Sequence, residues 1–240
     1  MSQQGPDGLS SGTQKVGMID RFIGSLGEHP MPRKDWPDCC PDVKGMTSPA
    51  KQHLLHLAFS CIAPQEAYLE IGTYNGKSLL GAALGLSILP PKSPGCVRIH
   101  ACDNFSEFGE SNSRVVLDGN LEKYEIIQQV QFHDKDFRAL FSQGIGEKVA
   151  AYFYDGAHDY MSQYEGITLV EPLLADEAIV IVDDWRFAED SQSYAKMGTL
   201  NAIKQSTHEW KLLHELDARF NGDLEQWWNG VGVLSFRRNI

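Results

Sequence analysis

Three aspartates and one histidine carry the most readable chemistry in this chain. Asp155 and His158 stand together in "YFYDGAHDY", and Asp183 and Asp184 are adjacent in "AIVIVDDW". Each group follows an apolar run, which places it at the end of a buried strand. Asp155 and Asp183 are 28 residues apart, the length of a strand, a helix and a second strand. Neighbouring strands would bring three carboxylates into one cleft, where like charges cannot all stay ionised without compensation. A divalent cation would compensate them, and an all-oxygen, partly open ligand set of Asp155, Asp183 and Asp184 suits Mg²⁺ or another divalent cation. Side chains alternate faces along a strand, so Asp183 and Asp184 can share an ion only where the backbone turns, at about Trp185-Arg186. His158 follows Asp155 by three residues, and a histidine titrating near neutrality is the candidate general base. Aspartates after strands also serve as helix caps, and loop histidines are often structural, so the weight lies on the combination.

A second group precedes these. "YLEIGTYNGKSLL" puts Glu70, Gly72 and Gly76 where a strand turns into a helix, with Asn75 and Ser78 as polar neighbours. Glycines at such a turn let a ligand approach the backbone. The Gly72-xxx-Gly76 spacing matches neither the dinucleotide fingerprint nor the phosphate-binding loop, which disfavours pyrophosphate cofactors. Further acids close other apolar runs: Asp103 in "VRIHACD", and either Asp134 or Asp136, the latter beside Phe137, in "FHDKDFRAL".

The elements that must hold these groups alternate along the chain. Strand candidates "AYLEI", "VRIHAC", "VQFH", "VAAYFY" and "AIVIVDD" are separated by helical stretches such as "SLLGAALGLSIL", "SRVVLDGNLEKY" and "QYEGITLVEPLL". That alternation predicts parallel strands with helices on both faces. "HEWKLLHEL" and "VGVLSFRR" have only a loop between them and should pair antiparallel at one edge. The expected fold is α/β: a Rossmann-like, doubly wound, mostly parallel seven-stranded sheet with an antiparallel C-terminal edge hairpin. Ligands of such sheets bind beyond the carboxyl ends of the strands, where the acids gather.

Residues 1–47 read as an N-terminal arm or lid, and residues 48–240 as the domain. One piece of the arm, "MIDRFIGSL", shows a helical face of Ile19, Phe22, Ile23 and Leu26 that should dock. Ser48 can cap the next helix with Pro49 at its first position; Leu54, Leu55, Leu57, Ala58 and Ile62 supply its buried side.

The 240 residues are 42% hydrophobic and 22% charged, ordinary globular values. A net charge of −11 without a basic cluster argues against a nucleic-acid partner. No apolar run reaches the roughly 18 residues of a membrane span, and "MSQQGPDGLSSGTQK" lacks a signal peptide's apolar core, so no membrane partner and a cytoplasmic location are expected. Five unevenly spaced cysteines fit reduced thiols. Homo-oligomerisation stays open.

With these motifs in view, residues 45–240 resemble the class I S-adenosylmethionine-dependent methyltransferases, whose first motif is an acidic residue followed by Gly-xxx-Gly after the first strand. "YDGAHDY" and "VEPLLADEAIVIVDDW" resemble the branch of metal-dependent O-methyltransferases that act on hydroxyls of sugars and other natural products. The resemblance implies S-adenosylmethionine as cofactor, with Asp103 on the ribose diol, Asp136 and Phe137 at adenine, and Glu70, Gly72, Asn75, Gly76 and Ser78 around the methionine portion. It places the cation on Asp155, Asp183 and Asp184. The catechol-type relatives carry lysine where this chain has His158, which argues against a purely catechol acceptor. The implied partner is a small-molecule hydroxyl acceptor. Methyl transfer without metal, or a cofactor-binding protein without catalysis, are the alternatives. The arm, "WRFAEDSQSYAKMG" and "DLEQWWNG" are candidate walls of the acceptor pocket.

Overall fold

The apolar runs of "VAAYFY" and "AIVIVD" become the two central strands of a seven-stranded sheet, buried on both faces. The computed structural model describes residues 16–28, 30–85, 97–185 and 194–239. Five strands run parallel: β1 (Glu66–Ile71), β2 (Arg98–Asp103), β3 (Val130–Asp134), β4 (Lys148–Tyr154) and β5 (Leu174–Asp183). The last two, β6 (Glu209–Leu216) and β7 (Val231–Arg237), pair antiparallel with each other. The order β3-β2-β1-β4-β5-β7-β6 puts β7 inside, antiparallel to β5, and leaves β6 as the edge.

Alternation along β4 and β5 divides the core in two. Tyr68, Ala151, Phe153, Ile179 and Ile181 face one layer. Leu69, Tyr152, Tyr154, Val180 and Val182 face the other. The first layer is closed by α2 (Pro49–Ser60) and α3 (Lys77–Leu84), the second by α5 (Phe137–Gln143), α6 (Tyr160–Thr168) and α7 (Ala195–Gln205). In chain order, α4 (Ser113–Lys123) lies between β2 and β3.

α2 begins as its sequence dictates: the Ser48 hydroxyl accepts the Lys51 N–H and Pro49 occupies the first turn. Lys51 itself is fully buried beside Leu54 and Leu55. In the arm, α1 (Met18–Leu26) docks on the same core, but through Met18, Ile19 and Phe22. Ile23, expected on that face, is 38% exposed. Arg21 donates to the Cys61 carbonyl and the Ile19 N–H meets Glu177, and these contacts roll the helix away from the Ile23 side. Residues 1–15 of the arm and 186–193 of "WRFAEDSQSYAKMG" lie outside the described residues. No helix among the described residues is long and apolar enough to cross a membrane.

Candidate functional site

The sheet reverses its order between β1 and β4, and there the strand ends open into a cleft. Ligand pockets of α/β sheets form at this kind of switch point. Three strand ends are stitched together at its floor: the Gly72 N–H donates to the Cys102 carbonyl and the Asp155 N–H to the Ile71 carbonyl, each at 2.9 Å. Gly72 has φ +85°, and a Cβ there would lie 1.8 Å from the Asp155 carbonyl oxygen, so only glycine permits this approach. Gly76, also at φ +85°, starts α3 under the side chain of Leu117.

Asp103 borders the cleft, and both of its oxygens accept backbone N–H groups at 2.7 Å, Oδ2 from Tyr74 and Oδ1 from Phe105. Burial raises its pKa above the ordinary carboxylate value, against the pull of those hydrogen bonds. Asp136 and Phe137 also line the cleft, Asp136 capping α5 by accepting the Arg138 N–H at 2.8 Å. Asp134 is exposed and outside it, so of the two candidates geometry selects Asp136.

Glu70 is placed differently from its expected cofactor contact. It is fully buried beneath the loop, where Oε2 accepts the Tyr68 hydroxyl at 2.9 Å and Oε1 the Ser78 hydroxyl at 2.8 Å. Burial pushes its pKa up to about 8. Glu70 therefore braces the glycine loop through Ser78 and is not among the residues that line the cleft, whereas Ser78 and Asn75 are. The Asn75 side chain donates to the Lys44 carbonyl at 3.1 Å, tying the loop to the arm.

At the β4 side of the cleft, Asp155, His158 and Asp184 converge, one ligand atom from each lying within 4.8 Å of the others. The backbone turn needed for Asp184 exists at Asp184 itself, at φ +53°, and the following Trp185 is buried against β7. The turn separates the two aspartates. Asp183 points into the core, where its Oδ2 meets Lys51 Nζ at 2.5 Å, the two side chains 4% and 0% exposed. Asp183 is thus outside the converging set, contrary to its expected place among the ligands. Its pKa is still raised, because burial outweighs the lysine. Asp155 is pushed well above the carboxylate range, first by burial and then by the Asp183 charge.

His158 bridges two carboxylates, with Nε2 2.5 Å from Asp184 Oδ2 and Nδ1 3.1 Å from Glu107 Oε2. The Asp184 hydrogen bond raises its pKa to about 9. In this state it is an imidazolium at pH 7, not the neutral base expected from its ordinary pKa. Asp184, despite its burial, is held below the usual range by the same contact.

The chain thereby compensates its own carboxylates: Lys51 answers Asp183 and His158 answers Asp184. Lys51, Glu107 and Asn229 are the residues that sequence reasoning missed. Lys51 carried a faint signal, since it precedes Leu54 and Leu55 by three and four residues and so shares their buried face. Glu107 and Asn229 lie in loops after β2 and before β7, and nothing in their spacing marks them. Asn229 Nδ2 donates to Asp184 Oδ1 at 2.7 Å, which gives "DLEQWWNG" a role beside the cluster. Trp227 of that segment is buried in the core.

The donor set fits a divalent cation, which would take the place of the proton between His158 and Asp184 and neutralise Asp155. The cleft is lined by Asp103, Asp136 and Phe137, the residues expected at ribose and adenine.

A twisted sheet in this order, with its antiparallel penultimate strand and a glycine loop after β1, defines the class I S-adenosylmethionine-dependent methyltransferase fold. The family model described as "Methyltransferase domain" matches residues 69–185. Solved structures agree on the fold. The cofactor-bound Rv0187 from MTB superposes with a TM-score of 0.61 at 15% identity, over 96% of this chain and 94% of that one. An O-methyltransferase from Bacillus cereus, in complex with S-adenosylhomocysteine, gives 0.58 at 13%, over 95% and 94%. The O-methyltransferase TomG from Streptomyces achromogenes, involved in tomaymycin synthesis and in complex with S-adenosylmethionine, gives 0.58 at 17%, over 93% and 97%. Comparison with curated proteins returns no match for the sequence.

Proposed function

We propose that this protein transfers the methyl group of S-adenosylmethionine to a hydroxyl of a small molecule, a sugar or another natural product, with the help of Mg²⁺ or another divalent cation. The observation that carries this reading is continuity: the same strand ends shape the donor cleft and, through Asp155, the Asp155-His158-Asp184 cluster beside it. The donor-bearing structures of similar fold support the choice of cofactor.

The chain's own residues perform the binding and orientation. Gly72 and Gly76 keep the backbone bare beside the methionine portion, and Glu70 holds that loop through Ser78. Asp103 offers its remaining lone pairs to the ribose diol, each carboxylate oxygen accepting more than one hydrogen bond. Asp136 and Phe137 form the adenine end. Asp155, Asp184 and His158 would hold the cation, which when bound acidifies a hydroxyl and steadies the charge that develops on it. Reaction in line with the sulfonium then depends on positioning.

A second reading, transfer without metal, is favoured by the internal compensation through Lys51 and His158. Here His158 must first lose its proton, and turnover should rise with pH toward about 9. The test is S-adenosylhomocysteine release with a hydroxyl-acceptor panel, with and without EDTA. Loss on chelation and return with Mg²⁺ or Mn²⁺ supports the first reading; undiminished turnover in EDTA, rising toward pH 9, supports the second. No methyl transfer to any hydroxyl, despite donor binding, would count against both.

A further inference from the structure

We propose that His158 is itself a ligand of the cation, through Nε2, that Glu107 holds the imidazole by accepting its Nδ1–H, and that the site therefore selects a nitrogen-tolerant ion such as Mn²⁺, Fe²⁺, Co²⁺ or Zn²⁺ over Mg²⁺. The inference rests on the divalent-cation reading and specifies its ligands and ion class.

The first support is subtraction. Three aspartates would make an oxygen-only site, but Asp183 is committed to Lys51 at 2.5 Å in the core, leaving two carboxylates. The third converging atom belongs to His158. The further side-chain contact of Asp183 is with the Asp155 carboxyl, which keeps Asp183 outside the converging ligand atoms.

The second support lies behind the ligands. Metal-bound histidines almost always donate their other ring N–H to a carboxylate or carbonyl, which fixes the tautomer and the ring orientation. Glu107 Oε2 stands 3.1 Å from Nδ1 of His158, on the side opposite Asp184. With Nδ1–H given to Glu107, the Nε2 lone pair faces Asp184 and Asp155. Phe108, the next residue, lies edge-on to the imidazole at 6.4 Å and to Tyr74 at 6.5 Å, so the Glu107 loop packs against the ring as well as bonding it. Asp184 has matching support from Asn229 on Oδ1, leaving Oδ2 turned toward the cluster.

The third step is chemical. An imidazole among the donors raises affinity for transition ions far more than for Mg²⁺, which favours oxygen and keeps its waters. As a ligand through Nε2, His158 has no lone pair left for an acceptor's proton. Glu107 is then a positioning residue, acting on the ion through His158.

The experiment uses full-length protein stripped with EDTA and titrated with Mn²⁺, read by electron paramagnetic resonance with electron-spin-echo modulation. The wild type should bind one Mn²⁺, at least about a hundredfold more tightly than Mg²⁺ in competition, and show coupling to a directly bound ¹⁴N. His158→Ala, shown to be folded by binding S-adenosylhomocysteine, should lose that coupling. Glu107→Gln, a change at a partly exposed side chain, should keep the coupling and weaken Mn²⁺ by about 10- to 100-fold. Bound Mn²⁺ without ¹⁴N coupling would overturn the ligand assignment and leave the cation reading standing. Absence of any Mn²⁺ or Mg²⁺ binding at millimolar concentration would overturn both.

Discussion

Replacing Lys51 by Met should unmask how much of the site's stability rests on one buried ion pair. Lys51 Nζ and Asp183 Oδ2 are 2.5 Å apart with both side chains excluded from water, and the Asp155 carboxyl also contacts Asp183. Methionine fills much of the lysine stem's volume, so the loss is mainly one of charge. Breaking a buried pair from one side typically costs about 3–5 kcal/mol. The chain has one escape, to protonate Asp183, and from an ordinary pKa near 4 that costs about 4 kcal/mol at pH 7 and about 1.4 less for each unit of acidification. The variant should therefore be destabilised by about 4 kcal/mol at pH 7 and about 1.2 at pH 5, with EDTA present throughout. The sign follows from linkage: Asp183 in the variant has a folded pKa above its unfolded one, so stability is lost as pH rises between them. At about 2–4 °C per kcal/mol for a chain of this size, the midpoint should fall by about 8–16 °C at pH 7. Adding Asp183→Leu should recover most of the loss, because an apolar pair of similar volume suits the interior. Denaturant titrations at both pH values decide it. A loss under about 1 kcal/mol at pH 7, or one that ignores pH, would show that water or another group already serves Asp183.

Two further outcomes follow from the same geometry. In metal-free protein, the contribution of His158, whose pKa is raised to about 9 by Asp184, should be fully present below about pH 6.5 and vanish as pH rises through 9. The wild-type-minus-His158→Asn difference in unfolding free energy should shrink by about 1–3 kcal/mol between pH 6 and pH 9.5, and a flat difference would contradict the ion pair. Asp103→Ala should weaken S-adenosylhomocysteine by about 1–3 kcal/mol in calorimetry, since in the proposed site the carboxylate would meet the ribose, and it already pins the Tyr74 and Phe105 N–H groups; unchanged affinity would remove Asp103 from the donor site.

What the sequence determined by itself is the scaffold and the location of its chemistry. Period and composition mark each strand, because a strand buried on both faces must be apolar throughout, and a run such as "VAAYFY" admits no other placement. Acids after those strands gather at the carboxyl edge because parallel strands all end there, so Asp103, Asp155 and one of Asp134 and Asp136 could be placed beside one cleft from order alone. Period also asked for a turn if Asp183 and Asp184 were to share an ion, expected at about Trp185-Arg186 and found at Asp184. The tertiary structure decided the direction of that turn. A left-handed Asp184 sends its carboxylate toward His158 and leaves Asp183 facing α2, where Lys51, 132 residues earlier, neutralises it. Glu107 meets His158 across 51 residues of chain, and Asn229 meets Asp184 across 45. Such pairs share no period, since charges far apart in sequence are matched only once helices and loops have packed. The expected near-neutral pKa of His158 shifts for the same reason: without an ion Asp184 and Glu107 raise it to about 9, and those neighbours come from two other strand ends.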